Sequence, residues 1–361
     1  MVSVTGTPFA VVSPAAGRWS FESVDLFPGR HLPPVPEVEV MSDRRFAPVP
    51  VRSVTLPSVM PAAGGETLTH NGKYLLVAGG TGAAVLSVAR LERGSRHPVV
   101  GVLSTPGPQT FNSQLGAGDG AVEVITSPDD RYAFVTLENA GRISVFDLHK
   151  ALAGGFRGSG YVGSISLGQG PVGMAISPDG RWLYATSLSA SKTTVAPAPG
   201  TISVIDLHRA ETQPSAALLD TAIAGCAPVR VIVSANGRTV WTTARASDAL
   251  LGFSASKLLS DPRHALLADV RVGASPAGMA FTDGGRRIVV ADTDRFTTTP
   301  HAGALSVVNP SAALARRPAL LGAVRAGEFP REMSLESNGT TLLITNYDSD
   351  QLEAVDTQDL P

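Results

Sequence analysis

Ile143-Ser-Val-Phe-Asp147, Ile202-Ser-Val-Ile-Asp206 and Leu305-Ser-Val-Val-Asn309 share one pattern, with apolar side chains alternating with polar ones along a short run. Val38 to Ser42, Val85 to Ala89, Leu250 to Ser254 and Leu352 to Asp356 vary the same theme. A period of two marks a strand with one face buried. Upstream of each run stands a second strand rich in β-branched and aromatic residues, introduced by a turn, as in "SPDDRYAFVTL" from Ser127, "SPDGRWLYATS" from Ser177 and "SANGRTVWTTA" from Ser234. The turn chemistry is specific: proline fixes φ, Asp or Asn bonds its own backbone, and glycine accepts the left-handed position.

Aligning on that turn gives Gly17, Gly72, Asp130, Gly180, Gly237, Gly285 and Gly339, separated by 55, 58, 50, 57, 48 and 54 residues. Before the turn a further strand recurs, as in Pro171-Val-Gly-Met-Ala-Ile176, Pro276-Ala-Gly-Met-Ala-Phe281 and Pro330-Arg-Glu-Met-Ser-Leu335, and a fourth, such as Tyr161 to Ile165, closes the unit. Four strands repeated at a period near fifty predict an all-β, seven-bladed β-propeller with four antiparallel strands per blade. The units run over 8–57, 63–105, 121–167, 171–225, 228–273, 276–325 and 330–361, forming a single domain. The last unit lacks a fourth strand, and Val2-Ser-Val-Thr5 is a strand without a blade; residues 1–7 are therefore expected to complete blade seven and close the ring, hiding a bare sheet edge.

The runs "LYATS", "AFVTL", "LITNYDSDQLEAVD", "ISVIDL" and "ISVFDL" resemble the YVTN family of seven-bladed propellers and the related lactonase-like propellers, over nearly the whole chain. The resemblance implies the fold and a lactonase-like activity; the shared residues are turns and strands, so they do not assign the chemistry. Blade one departs most, with Glu22 at a position that is small or apolar elsewhere.

Composition fits one large domain of short strands and many turns: 361 residues, 43% hydrophobic, 17% charged, with 37 Gly and 27 Pro. A net charge of −2 without a basic stripe argues against nucleic acid and acidic membranes as partners. The start of the chain has no cationic, apolar leader pattern and no run reaches membrane-spanning length, so a cytoplasmic location is expected. A single cysteine, Cys226, excludes an internal disulfide framework. No metal-ligand spacing, phosphate loop, nucleophile elbow or dinucleotide fingerprint occurs, and neither metal nor cofactor is expected.

Chemistry is sought where the copies differ. From the last Thr-like position of strand two to the start of strand three, blades two, three, five and seven span 7 residues, whereas blades one, four and six span 15, 16 and 14. The entry to blade three, Ser104 to Gly120, is also long. Insertions around Phe111, Lys192 and His301 are expected to wall one opening, since loop tips carry function. The residue two past the proline that enters each inner strand is read as the channel mouth: Ala10, Gly65, Glu123, Gly173, Arg230, Gly278 and Glu332. Three are charged. Glu123 and Glu332 supply an acid/base pair and Arg230 an anchor for an anionic small-molecule ligand, with the small residues leaving room. Arg331 and Glu66, one position from this ring, together with Phe111 and Asn346, are further substrate contacts; His31 and His301, in the long loops of blades one and six, are rim acid/base candidates. Two readings stay open: an enzyme opening a lactone ring, eliminating or isomerising, and a non-catalytic propeller holding a ligand or protein on the same face.

Overall fold

The computed structural model describes residues 1–14, 18–27, 33–42, 48–106, 119–158, 160–190, 199–295 and 302–361. The described strands form seven four-stranded antiparallel sheets, arranged in chain order around a central channel. In blade four, the turn is built as the sequence requires: the Ser177 hydroxyl donates to Asp179 and accepts from the Trp182 amide at 2.9 Å, while Gly180 sits at φ 68° and donates to the Ser177 carbonyl at 2.8 Å. Asp130 holds the same left-handed turn position at φ 57°, a conformation that a short polar side chain tolerates better than most.

Closure occurs at the seam that the strand count implies. Val2–Ser3 is the outer strand of the sheet whose other members are Gln351–Asp356, Thr341–Asn346 and Pro330–Leu335, with Val2 opposite Leu352. Val4 donates to the Asp350 carbonyl at 3.0 Å and the Thr5 amide donates to Glu39 at 3.2 Å, so the terminus bridges blades seven and one. Deleting residues 1–5 should lower the melting temperature by several degrees, because it bares the edge of Gln351–Asp356 and uncovers apolar surface. An unchanged melting curve would show that the seam holds without them.

Successive blades bury apolar side chains between their faces, giving one cluster per seam. The seam between blades seven and one is the thinnest, with Val11, Met41, Leu343 and Leu352 at its centre. Short helices that the strand pattern does not announce join strands three and four: Val88–Glu92, Leu148–Ala153, Leu207–Thr212, Ala255–Ser260 and Pro310–Leu314. In blades three and four their signal is the "FDL" and "IDL" ending of strand three, where Asp147 and Asp206 accept from the amides of Lys150 at 2.7 Å and Arg209 at 3.0 Å as N-caps. Among the described residues no helix is long and apolar enough to cross a membrane.

Candidate functional site

The inner strands of blades three to seven enter the sheet through a break in their pairing. The register shifts between Ala121 and Val124, Pro171 and Met174, Pro228 and Val231, Pro276 and Met279, and Pro330 and Met333. A bulge re-aims the side chains within it. Here it holds the residues that face the channel, and the Thr-like position of strand two fixes its shape. Thr186 Oγ1 accepts from the Gly173 amide at 2.9 Å and donates to the Val229 carbonyl of the next blade at 2.7 Å. Thr243 does the same between Arg230 (3.2 Å) and Ala277 (2.7 Å), Thr136 between Glu123 (3.0 Å) and Val172 (3.3 Å), and Thr345 between Glu332 (3.1 Å) and Phe9 (3.3 Å). One hydroxyl thus satisfies an unpaired bulge amide and joins two blades.

Glu123, Arg230 and Glu332, from blades three, five and seven, meet in the channel. Arg230 Nε donates to Glu332 Oε1 at 2.5 Å, and its Nη2 pairs with the same oxygen. Its Nη1 lies 3.8 Å from Glu123 Oε2, which accepts from the Met174 amide at 2.9 Å. Glu123 Oε1 has no hydrogen bond with a described residue. Burial, reinforced by Glu332, outweighs the opposing Arg230 charge and pushes Glu123 up to about 7. The two carboxylates in turn hold Arg230 firmly protonated against its own burial.

The small members of this ring do not make room for a ligand. A Cβ on Gly173 would stand 2.2 Å from the Val229 carbonyl and 2.9 Å from Arg230 Cα, and one on Gly278 would stand 2.3 Å from the Arg331 carbonyl. Glycine in blades four and six is required because the next inner strand, carrying a charged residue, passes at that distance. The open space lies one layer outward. A cavity of about 120 Å³ is lined by Phe9, Val122, Val172, Val229, Ala277 and Arg331, each one residue before the ring read from the sequence, and by Arg230 and Glu332 from that ring. Glu138, Leu188, Arg245 and Thr293, each two past the Thr-like position of strand two, complete the wall with Arg295 and Phe329. The positions of this ring are equivalent from blade to blade, like those of the first; the bulge, which moves the lining position by one, leaves no mark in the sequence. Arginines outnumber glutamates four to two in the lining.

Several expected contacts lie elsewhere. Asn346 is fully buried and donates to Glu353 Oε2 at 3.0 Å, tying strands two and three of blade seven, so it does not face the cavity. Glu66 is also buried, where burial and nearby Glu22 push its carboxyl well above the ordinary range. His31, His301, Phe111 and Lys192 lie outside the described residues; the strand ends that flank their loops, at Leu26 and Val35, Ser104 and Ala121, Ser189 and Thr201, and Asp292 and Ala302, belong to the face on which the cavity opens. Cys226 is exposed. Among the described residues no group of His, Cys, Asp or Glu is arranged to hold a metal ion. A larger hollow of about 710 Å³ on the opposite face, beside Lys73 and His149, is a groove whose Asp130 already accepts from the amides of His70 (2.7 Å) and Asn71 (2.9 Å).

The fold has relatives of known structure. Hydrazine synthase from Kuenenia stuttgartiensis superposes with a TM-score of 0.70 at 15% identity, covering 99% of this chain and 97% of that one. The periplasmic gluconolactonase PpgL of Pseudomonas aeruginosa superposes with a TM-score of 0.69 at 22% identity, covering 98% and 90%. No curated protein sequence gives a significant match. The family model described as "Lactonase, 7-bladed beta-propeller" matches residues 66–302, more than half the chain, and the protein belongs to that family.

Proposed function

We propose that this propeller hydrolyses a small-molecule lactone at the central cavity, with Glu123 as the proton carrier. One observation carries the reading: a carboxyl group at about 7, its Oε1 without a hydrogen bond among the described residues, just beneath an arginine-rich cavity in a protein of the lactonase family. A group that titrates near the working pH exchanges protons with least cost in either direction. In the ionised form, Glu123 takes a proton from a water molecule as that water's oxygen bonds to the lactone carbonyl carbon. The tetrahedral oxyanion forms beside the arginines of the lining. The ring C–O bond then breaks, and Glu123 returns the proton to the departing ring oxygen, giving a hydroxy acid and restoring the carboxylate. Arg230 serves as the brace: held by Glu332 on one side, it sets the position of Glu123 on the other and keeps the carboxyl from rising further.

The test is proton release at constant pH from a panel of five- and six-membered lactones, neutral and carboxylate-bearing. Each ring opening at neutral pH liberates one proton. Release well above the spontaneous rate for at least one lactone is expected; no acceleration for any would remove the hydrolytic reading and favour a propeller that only binds.

A further inference from the structure

Arg331 is placed unlike the other charged residues of the channel. Its guanidinium carbon lies 3.7 Å from the centroid of the Phe9 ring, 5.0 Å from Tyr347 and 5.7 Å from Phe329. These rings come from blades seven and one, and Phe9 and Phe329 line the cavity together with Arg331 itself. Beyond the rings, the guanidinium makes neither a hydrogen bond nor an ion pair with any described residue, and its Nε is buried without a partner. Arg230, by contrast, is occupied by Glu332 and Glu123. Ring contacts satisfy the faces of a guanidinium and leave its in-plane N–H donors unmet.

Burial, and then the like charge of Arg230, pull Arg331 down to about 10, so the site holds this cation at a cost. Glu332 offsets part of that cost from a distance, but a buried cation on a cavity wall with no hydrogen-bonded partner among the described residues is stabilised further by an anion that matches its edge. A carboxylate does so with two parallel N–H···O bonds, and flanking rings hold the guanidinium plane in register for it.

Building on the lactone-hydrolysis reading, we propose that Arg331, set against the rings of Phe9 and Tyr347, is the specificity-determining anchor for a carboxylate on the substrate, so that the enzyme selects carboxylate-bearing lactones over neutral sugar lactones. Arg331 acts on the substrate's position and affinity; the proton transfer remains with Glu123.

The comparison is between 5-oxotetrahydrofuran-2-carboxylate and its methyl ester, which share one ring and differ in the charge. Wild-type protein should favour the acid by about tenfold to a hundredfold in kcat/KM, mostly through KM, as expected for a charge-assisted pair. In Arg331→Met that ratio should fall to near one, and Arg331→Lys, which keeps the charge without the paired donors, should fall between. Calorimetric titration with tetrahydrofuran-2-carboxylate, which has no lactone bond to cleave, reads the anchor independently of turnover; melting curves establish that the variants fold. Equal use of acid and ester by wild type, with no carboxylate binding, overturns the anchor and leaves lactone hydrolysis standing. Carboxylate binding that is lost in Arg331→Met, without turnover of any lactone, supports the anchor and removes the hydrolytic reading.

Discussion

Glu123→Gln should cut lactone turnover by about 10²- to 10⁴-fold, the usual cost of losing a positioned proton carrier, while leaving the fold intact. The amide keeps an oxygen for the Met174 amide and a similar shape against Arg230, so little but the exchangeable proton is lost. The pH profile makes the prediction sharper. Because Glu123 is pushed up to about 7 and acts in its ionised form, wild-type kcat/KM should climb about tenfold per pH unit below 7 and level off above it. In Glu123→Gln that limb should vanish, leaving a low rate without this inflection. Replacing Glu332 instead would free Arg230 to pair fully with Glu123, so the inflection should move to lower pH. A Glu123→Gln variant that retains wild-type turnover and the same limb would locate the proton carrier elsewhere.

The period of the repeat made the fold legible, because a turn that needs glycine or Asp at one position and a strand that needs alternation leave marks at fixed intervals. The ring closure was readable for the same reason: a strand without a blade and a blade without a strand have one solution. The charged triad was found from equivalence alone, since Glu123, Arg230 and Glu332 stand out against glycine and alanine at the same place in other blades. The cavity was not, and the reason is local. The bulge in these inner strands turns the preceding residue outward, so Phe9, Val122 and Arg331 line the opening, while of the expected charged ring Arg230 and Glu332 reach it and Glu123 lies beneath. The Thr of "YATS" and "LITN" served as an alignment mark; its bond to the next blade joins residues that are 36 to 43 positions apart in the case of Thr136 and Thr186. The stack of Arg331 on Phe9 spans almost the full chain and exists only because the ring closes.

Glu22→Val should raise the melting temperature above pH 7, an unusual outcome for a core substitution. Glu22 lies wholly buried in the second strand of blade one, opposite Val11 and Glu39, and neither of its carboxyl oxygens has a hydrogen-bond partner. Val11 belongs to the thin apolar cluster at the closing seam, so the pleat puts Glu22 and Glu39 on that same seam. The equivalent position in blades two, three and six is Val77, Val135 and Val290, and valine has nearly the volume of the acid. Burial first, and Glu39 second, push the Glu22 carboxyl well above its ordinary 4.5. For an acid raised in the folded state, the native protein binds the proton more tightly than the unfolded chain; its contribution is fully present below about 4.5 and declines as pH rises through the folded value. Glu39, pushed up chiefly by burial, and Asp292, at about 7, slope the same way, whereas the lowered Asp130 and Asp179 lose their contribution only in acid, near or below their ordinary 3.8. Stability should therefore fall from about pH 5 to pH 8 in the wild type. Removing one unpartnered buried carboxyl is worth about 1–3 kcal/mol, or roughly 1–4 °C in a chain of this size, when measured at pH 8, and less at pH 5. Glu22→Gln should flatten the pH dependence while recovering only part of the gain, because its amide still lacks partners. Thermal melts of the three proteins at both pH values decide the matter: a Glu22→Val protein that melts below wild type at pH 8 would mean that the closing seam relies on this carboxyl.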